Sequence, residues 1–456
     1  MRRVPDTVRG LAARFLPRGA PMLSVLIFGS YVMGLVRDRF FARTFGAGAE
    51  LDAYNAAFVL PELLLDVLVE AGLAAPFIPI FMRLRAGEHD PEAADRFARS
   101  ILGGAVAIMG VAAVVMFVFA EATTALIAPG FLAHPEQRQL YVMLFRVMLV
   151  TPILFAASLT LGQVLLAEQR FFWYGIAPLL YNGGIVIGTV AFSDSLGIFG
   201  PAIGAVIGAA LHLGSRFIGL WGSTFRVGLE WRFRTPDVRE FVRLMVPKMV
   251  SHPIEPLTFL FFTRVASTLA DGSVTAVSFA RNFQSVPVSL VGIAFALAVF
   301  PALSTTSATG DRRGFLQIVV TNLASITLVT LASAIGLVVL GEIAIRVLLG
   351  GGAFDAEDVA LTASVLAAFA ISVPFESLSH LLSRAIYATR HTVLQVLASL
   401  AGLAITVATT LLLVDGFGII SIPLGFAVGQ AGKTVLLVLA LWIRIRTLAA
   451  EPASGG

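Results

Sequence analysis

Cysteine is absent from the chain, and charge is scarce. Without thiols there is neither a disulfide framework nor a thiolate metal site. Only 13% of the 456 residues are charged, against about 25% in an ordinary soluble domain. The six histidines show no metal-ligand spacing. A phosphate-binding loop is missing, which argues against direct drive by a nucleotide. No nucleophile stands out either, so the residues point away from an enzyme. Alternating ten-residue segments of the kind that build a membrane barrel are also missing.

What is present is apolar. Hydrophobic residues make up 57% of the sequence and mean hydropathy is +0.89. They fall in runs separated by short polar breaks, the pattern of an all-α polytopic membrane protein. Twelve transmembrane spans are expected, at 20–44, 51–84, 97–120, 139–166, 173–192, 197–222, 238–267, 273–303, 315–349, 356–386, 392–413 and 418–443. Several exceed the roughly 20 residues that cross a bilayer, so those helices tilt, kink or extend beyond it. The N-terminal segment 1–19 is basic, with no long apolar core and no cleavage site, and reads as a cytoplasmic lead-in.

The net charge of +4 matters less than its distribution and implies no nucleic acid. With the N-terminus inside, outer segments carry only Arg37, Arg39, Arg43, Arg138, Arg264 and Arg346. Most other basic residues fall in inner segments, as the positive-inside rule requires with both termini cytoplasmic. Arg146, Arg216, Lys248, Arg281 and Lys433 remain within spans.

Six spans precede the basic segment 223–237 and six follow it. Residues 48–64 (GAELDAYNAAFVLPELL) stand where 272–290 (GSVTAVSFARNFQSVPVSL) stand in the second half. Likewise GIFGPAIGAVIG (197–208) parallels GIISIPLGFAVG (418–429). Each half holds an even number of spans, so the repeat is parallel, as in transporters that rock around a central site. The expected organisation is a lead-in at 1–19, an N-lobe at 20–222, a linker at 223–237, a C-lobe at 238–446 and a disordered tail at 447–456.

Residues 34–70, GLVRDRFFARTFGAGAELDAYNAAFVLPELLLDVLVE, hold most of the puzzle. Charges within a membrane are costly unless paired or facing water. Together with VEAGLAAPFIPIF (69–81), RFFWYGIAPLLYNGGIVIG (170–188), the 272–304 segment and RAIYATRHT (384–392), this run resembles the MviN/MurJ family. The resemblance covers nearly the whole chain. It implies a lipid II flippase of the multidrug/oligosaccharidyl-lipid/polysaccharide exporter superfamily, with two pseudo-symmetric six-helix lobes around a central cavity. Such a protein carries lipid-linked disaccharide-pentapeptide between leaflets by alternating access, without covalent chemistry. Members often have two further C-terminal helices, so this chain looks like the transport core alone.

The resemblance places Arg37 and Arg281 as substrate-binding cations, since a guanidinium fork suits a pyrophosphate. Arg37 has a second reading, an ion pair with Asp38 at the membrane surface. Arg281 has no charged neighbour within several positions and needs a cavity or a partner. Asp38, Arg43, Asp52 and Glu70 stand as gate or ion-pair residues, with Asp52 open to pairing with Arg37 or Arg43. Asp52 also reads as a helix N-terminal charge favoured by the macrodipole. Pro61 and Pro287 are candidate hinges, with plain helix curvature as the other reading. Gly204 and Gly208 read as packing glycines.

Where family members often carry an arginine after the motif serine, Ser30 is followed here by Tyr31, and both are taken as substrate-facing. Val59, Leu65 and Asp66 likewise stand where family members carry basic residues, and Phe262 stands where sodium-binding relatives carry an acid. A proton or the membrane potential is therefore expected to drive transport rather than sodium, and no cofactor is expected. Expected partners are membrane lipids, an undecaprenyl-pyrophosphate-linked substrate and cell-wall synthesis proteins. The protein is expected to be a monomer in the bacterial cytoplasmic (inner) membrane. Two alternatives remain: an exporter of another lipid-linked glycan or amphipathic molecule, and a non-transporting scaffold.

Overall fold

The computed structural model describes residues 20–87, 90, 92–251, 254–389 and 391–448. The lead-in at 1–19 and the tail beyond 448 lie outside the described residues. Helices dominate, and the only extended pairing among the described residues is an isolated bridge between Gly351 and Phe354. The chain divides into two compact units. Unit 1 holds residues 1–44, 56–126 and 134–256; unit 2 holds 45–55, 127–133 and 257–456.

Unit 1 is built from α1 (Ala20–Phe45), most of α2 (Ala49–Leu65), α3 (Ala71–Arg85), α4 (Ala93–Val118), α5 (Ala120–Ile127), α6 (Pro135–Met148), α7 (Val150–Ala167), α8 (Phe171–Leu196), α9 (Phe199–Leu220) and α10 (Pro236–Ser251). A π-helical turn, Asp66–Glu70, joins α2 to α3. Helix α10 belongs to unit 1, although the sequence boundary at 237 assigned it to the C-lobe. The reason is packing. Val238 and Phe241 are buried in one apolar cluster with Phe77, Phe81 and Phe97, and the Phe97 and Phe241 rings meet edge-on at 5.9 Å. Arg83 adds ion pairs to Asp237 at 3.2 Å and Glu240 at 2.6 Å.

Unit 2 contains most of α11 (Ile254–Ala266), α12 (Ser273–Pro287), α13 (Ala294–Ala308), α14 (Arg312–Leu348), α15 (Ala356–Ala370), α16 (Ser372–Ala388), α17 (Thr392–Phe417) and α18 (Ser421–Leu448). A π-helical turn, Val288–Ile293, joins α12 to α13. At 37 residues, α14 runs roughly 55 Å, well beyond a hydrocarbon core about 30 Å thick. The Asp311 side chain caps its start by accepting from the Gly314 backbone N–H.

The expected repeat is visible in backbone geometry. Helix α8 ends on Gly197 with φ +55° and ψ −136°, and α17 ends on Gly418 with φ +52° and ψ −131°. Each following helix then packs closely on its predecessor. A Cβ on Gly188 would lie 2.4 Å from Gly204 Cα, and one on Gly184 would lie 2.4 Å from Gly208 Cα. In unit 2, Gly425 and Gly429 of α18 meet the Thr410 and Thr406 hydroxyls of α17. Gly204 and Gly208 are thus packing glycines, as small-xxx-small patterns commonly are.

Among the described residues, eight helical segments are long and apolar enough to cross a membrane, or nine if the bent pair α15–α16 is one span. One of the eight, 392–446, contains both α17 and α18. The expected spans 51–84 and 238–267 are not among them. The first carries Asp52, Glu62, Asp66 and Glu70 and is broken by a π-helical turn. The described helices within the second, α10 and α11, are 16 and 13 residues long.

Candidate functional site

In unit 2 the chemistry centres on Arg281, which is 7% exposed. Its guanidinium makes a two-bond fork onto Glu376 of α16: Nη2 donates to Oε1 at 2.7 Å and Nη1 to Oε2 at 3.0 Å. Nη1 also donates to the Gln284 side-chain oxygen. Gln284 Nε2 in turn donates to Glu376 Oε2 at 2.8 Å and to the Ser372 hydroxyl at 3.1 Å. Arg281 Cζ sits 5.4 Å from the centre of the Phe259 ring and 5.1 Å from that of Phe426. Charge is therefore taken out of water here but neutralised, hydrogen-bonded and flanked by π faces. The partner that the sequence required for Arg281 lies 95 residues away, where one-dimensional spacing gives no sign of it. Taken from the sequence as a phosphate cation, Arg281 is held here by a carboxylate of its own unit.

Asp52 has partners other than Arg37 and Arg43. One carboxylate oxygen accepts from the Thr275 backbone N–H and hydroxyl, both at 2.7 Å; the other accepts from Gly272 N–H at 2.8 Å. Those groups form the start of α12, whose leading N–H groups have no acceptor within the helix. Asp52 thus caps a helix from another segment. Glycine is required at 272: φ is +86°, and a Cβ would lie 2.2 Å from the Ala47 carbonyl oxygen. Asn55 adds a bond to the Thr275 hydroxyl at 3.2 Å, and the Ala47 N–H donates to Asp358 at 3.0 Å. These contacts explain why 45–55 belongs to unit 2.

Unit 1 has two arginine centres. Arg37 pairs with Asp38 at 2.8 Å, with side-chain exposures of 27% and 6%. Arg37 Nη1 donates to Asn182 Oδ1 at 3.1 Å, and Asn182 Nδ2 donates to the Pro178 carbonyl at 3.2 Å. The second centre is Arg216, 2% exposed. One of its nitrogens donates to the Trp173 and Tyr174 carbonyls, each at 2.8 Å, and another to the Ser158 hydroxyl at 3.2 Å. Ser158 also meets His212 Nδ1 at 2.7 Å. Pro178 explains the arrangement. It has no N–H for the Tyr174 carbonyl four residues earlier, and Arg216 supplies the missing donor.

The other sequence candidates are dispersed. Ser30 is half-buried and Tyr31 is 60% exposed, both on α1. Arg43 is exposed near the end of α1. Glu70 ends the π-helical turn, and its side chain lies outside the description. Pro61 precedes that turn by five residues, and Pro287 immediately precedes the matching turn in unit 2. Leu65 is buried in the apolar core of unit 1, where a charge would be unfavourable. Phe262 packs on Phe259, Phe369 and Phe426, the closest ring centre at 5.5 Å. Sequence reasoning missed Glu376 and Gln284. A glutamate inside an otherwise apolar span was the available signal.

Three comparisons bear on this architecture. A family model described as "Lipid II flippase MurJ" matches residues 41–452. A probable lipid II flippase MurJ of Rickettsia prowazekii is 26% identical over 90% of this chain and 81% of its own length. One of Thermotoga maritima is 28% identical, covering 90% and 82%. A solved lipid II flippase MurJ in an inward closed conformation superposes with a TM-score of 0.79 at 24% identity, covering 94% of this chain and 90% of that one. An inward-facing multidrug resistance MATE family transporter of the MOP superfamily follows, with a TM-score of 0.78 at 15% identity, covering 93% and 96%. Both structures share the fold of a polytopic helical transporter. With the family model spanning all but the two ends of the sequence, the chain belongs to the lipid II flippase MurJ family.

Proposed function

We propose that this protein is a lipid II flippase of a bacterial inner membrane, with both termini cytoplasmic, moving its lipid-linked substrate outward by alternating access. The observation that carries this reading is the family match over residues 41–452. Transport needs no bond to be made or broken in the substrate. The chain has to shelter a charged headgroup, and arginine is the side chain best matched to phosphate. Arg37 and Arg281 are the cations assigned to that task.

Glu376 gives the proposal a specific form. A carboxylate and a phosphate take the same guanidinium fork. Substrate binding at Arg281 therefore exchanges Glu376 for a phosphate, and neutralising Glu376 favours the exchange. The Phe262 cluster supports coupling to a proton or the membrane potential in preference to sodium. Nothing in the proposal requires a second copy of the chain.

The test replaces the resident lipid II flippase of a bacterium with this protein and measures lipid II in the outer leaflet. Membrane insertion is checked in parallel. Rescue by the natural chain, lost in Arg37→Ala and Arg281→Ala, is expected. A well-inserted chain that delivers no lipid II would sink the substrate assignment. It would favour another lipid-linked glycan, with Tyr31, Val59, Leu65 and Asp66 as the specificity positions.

A further inference from the structure

We infer that a cleft at the basic end of unit 1 binds the phosphate group of an anionic glycerophospholipid. The cleft has a volume of about 370 Å³ and lies among the ends of α3 and α7 and the loop after α9. Its charges do not balance. Two guanidiniums, Arg85 and Arg170, share the single carboxylate of Glu168, at 3.2 and 3.4 Å. Arg170 is also committed to the backbone, donating to the Gly219 and Trp221 carbonyls at 2.7 and 2.9 Å. Arg85 is not so committed. Its Nη1 is buried and has no hydrogen-bond acceptor, which costs free energy until an oxygen is supplied. Phe81 backs the same guanidinium, its ring centre 5.4 Å from Cζ.

The backbone here is bent to make the cleft. Gln169 is the one non-glycine residue with positive φ, +58°, among the described residues. Such a conformation is unfavourable for a residue with a side chain. It turns the chain between Glu168 and Arg170, and both line the cleft. Gly222, at φ +69°, turns the opposite wall and brings Ser223 and Thr224 to the lining. The Thr224 hydroxyl is able to donate to a phosphate oxygen, whereas the Ser223 hydroxyl donates to the Phe225 carbonyl at 3.3 Å.

A lipid is favoured as the carrier because the surroundings suit an amphiphile. Trp221, beside the cleft, is 84% exposed, and the lining residue Met82 is 47% exposed. Tryptophan concentrates at the headgroup level of membranes. Basic pockets between membrane helices on the cytoplasmic side are a known form of headgroup site. This inference concerns a resident lipid and stands whether or not lipid II is the cargo.

The test uses the full chain in nanodiscs of mixed phosphatidylglycerol and phosphatidylcholine, with lipids retained on release counted by native mass spectrometry. Preferential retention of phosphatidylglycerol is expected. Arg85→Gln should lower it about tenfold, as for loss of one charge-assisted hydrogen bond. Thr224→Glu, which adds a negative charge without touching Arg85, should lower it as well. Arg83→Gln, whose ion pairs point to α10, should not. Retention that is equal in the natural chain and both cleft variants overturns the inference. Thermal stabilisation by inorganic phosphate that depends on Arg85, without phosphatidylglycerol retention, assigns the cleft to free phosphate and overturns the lipid reading.

Discussion

Among the described residues each unit buries one arginine almost completely, and the two are held by different means. Arg216 of unit 1 is held by main-chain carbonyls and a serine, with no carboxylate among its hydrogen-bond partners. Arg281 of unit 2 is held by side chains, the carboxylate of Glu376 and the amide of Gln284. Carbonyls in the first turn of a helix cannot leave without unwinding it. A glutamate or glutamine reorients by rotating its side-chain torsions. The first arrangement therefore serves as a fixed strut, whereas the partners in the second can swing away without unwinding a helix. Both arginines lie next to proline-containing helices, but only Arg216 replaces the donor that a proline removes.

The largest effect should come from leaving one half of the Arg281–Glu376 pair alone. Arg281→Ala or Glu376→Ala each strands a buried charge and should cost about 3–5 kcal/mol, read as a lowered thermal midpoint in detergent. The double variant Arg281→Met/Glu376→Leu should recover most of that loss, because a well-packed apolar pair replaces a buried ion pair at little cost. If the double variant is as unstable as the singles, the pair is not the isolated unit described here.

Next in size is the strut. Arg216→Ala should cost roughly 1.5–3 kcal/mol through lost charge-assisted hydrogen bonds. Pro178→Ala gives a sharper test. Alanine at 178 restores a backbone donor for the Tyr174 carbonyl, so the loss from Arg216→Ala should shrink in that background. A thermal double-mutant cycle with zero coupling would refute the link between Arg216 and Pro178.

Asp52→Asn should be milder, about 1 kcal/mol, the usual scale of a helix N-cap change. Hydrogen exchange should then rise locally at Gly272 and Thr275. The smallest stability effect belongs to Arg37→Ala, about 1 kcal/mol or less, because its ion pair is partly exposed. The same substitution should nonetheless abolish outward lipid II in the replacement assay. Function lost without stability would separate a substrate cation from a structural one.

Much of the fold could be read in one dimension. The repeat marked by GIFGPAIGAVIG and GIISIPLGFAVG reappears as matching glycine turns at 197 and 418, because a helix end at positive φ and a close helix approach both demand glycine. Pro61 and Pro287 were visible as points of helix irregularity, and a π-helical turn follows each. The site was less legible. Asp52 carries a helix N-terminal signal, but the helix it caps is α12, some 220 residues further on. Arg281 advertised a need for a counter-ion without naming it.

Composition and hydropathy determined that this is a helical membrane protein, and the paired segments gave its two related halves. Burying apolar runs and satisfying backbone groups in lipid leaves few other choices. The family, too, was carried by local motifs. Only tertiary structure decided which charges meet: Arg281 with Glu376, Arg216 with the Trp173 and Tyr174 carbonyls, and Asp52 with α12. Ion pairing depends on distances of a few ångströms between side chains that folding brings together from far apart in the sequence. Hydrophobic periodicity says which face of a helix is buried, but not which residue of another helix lies opposite.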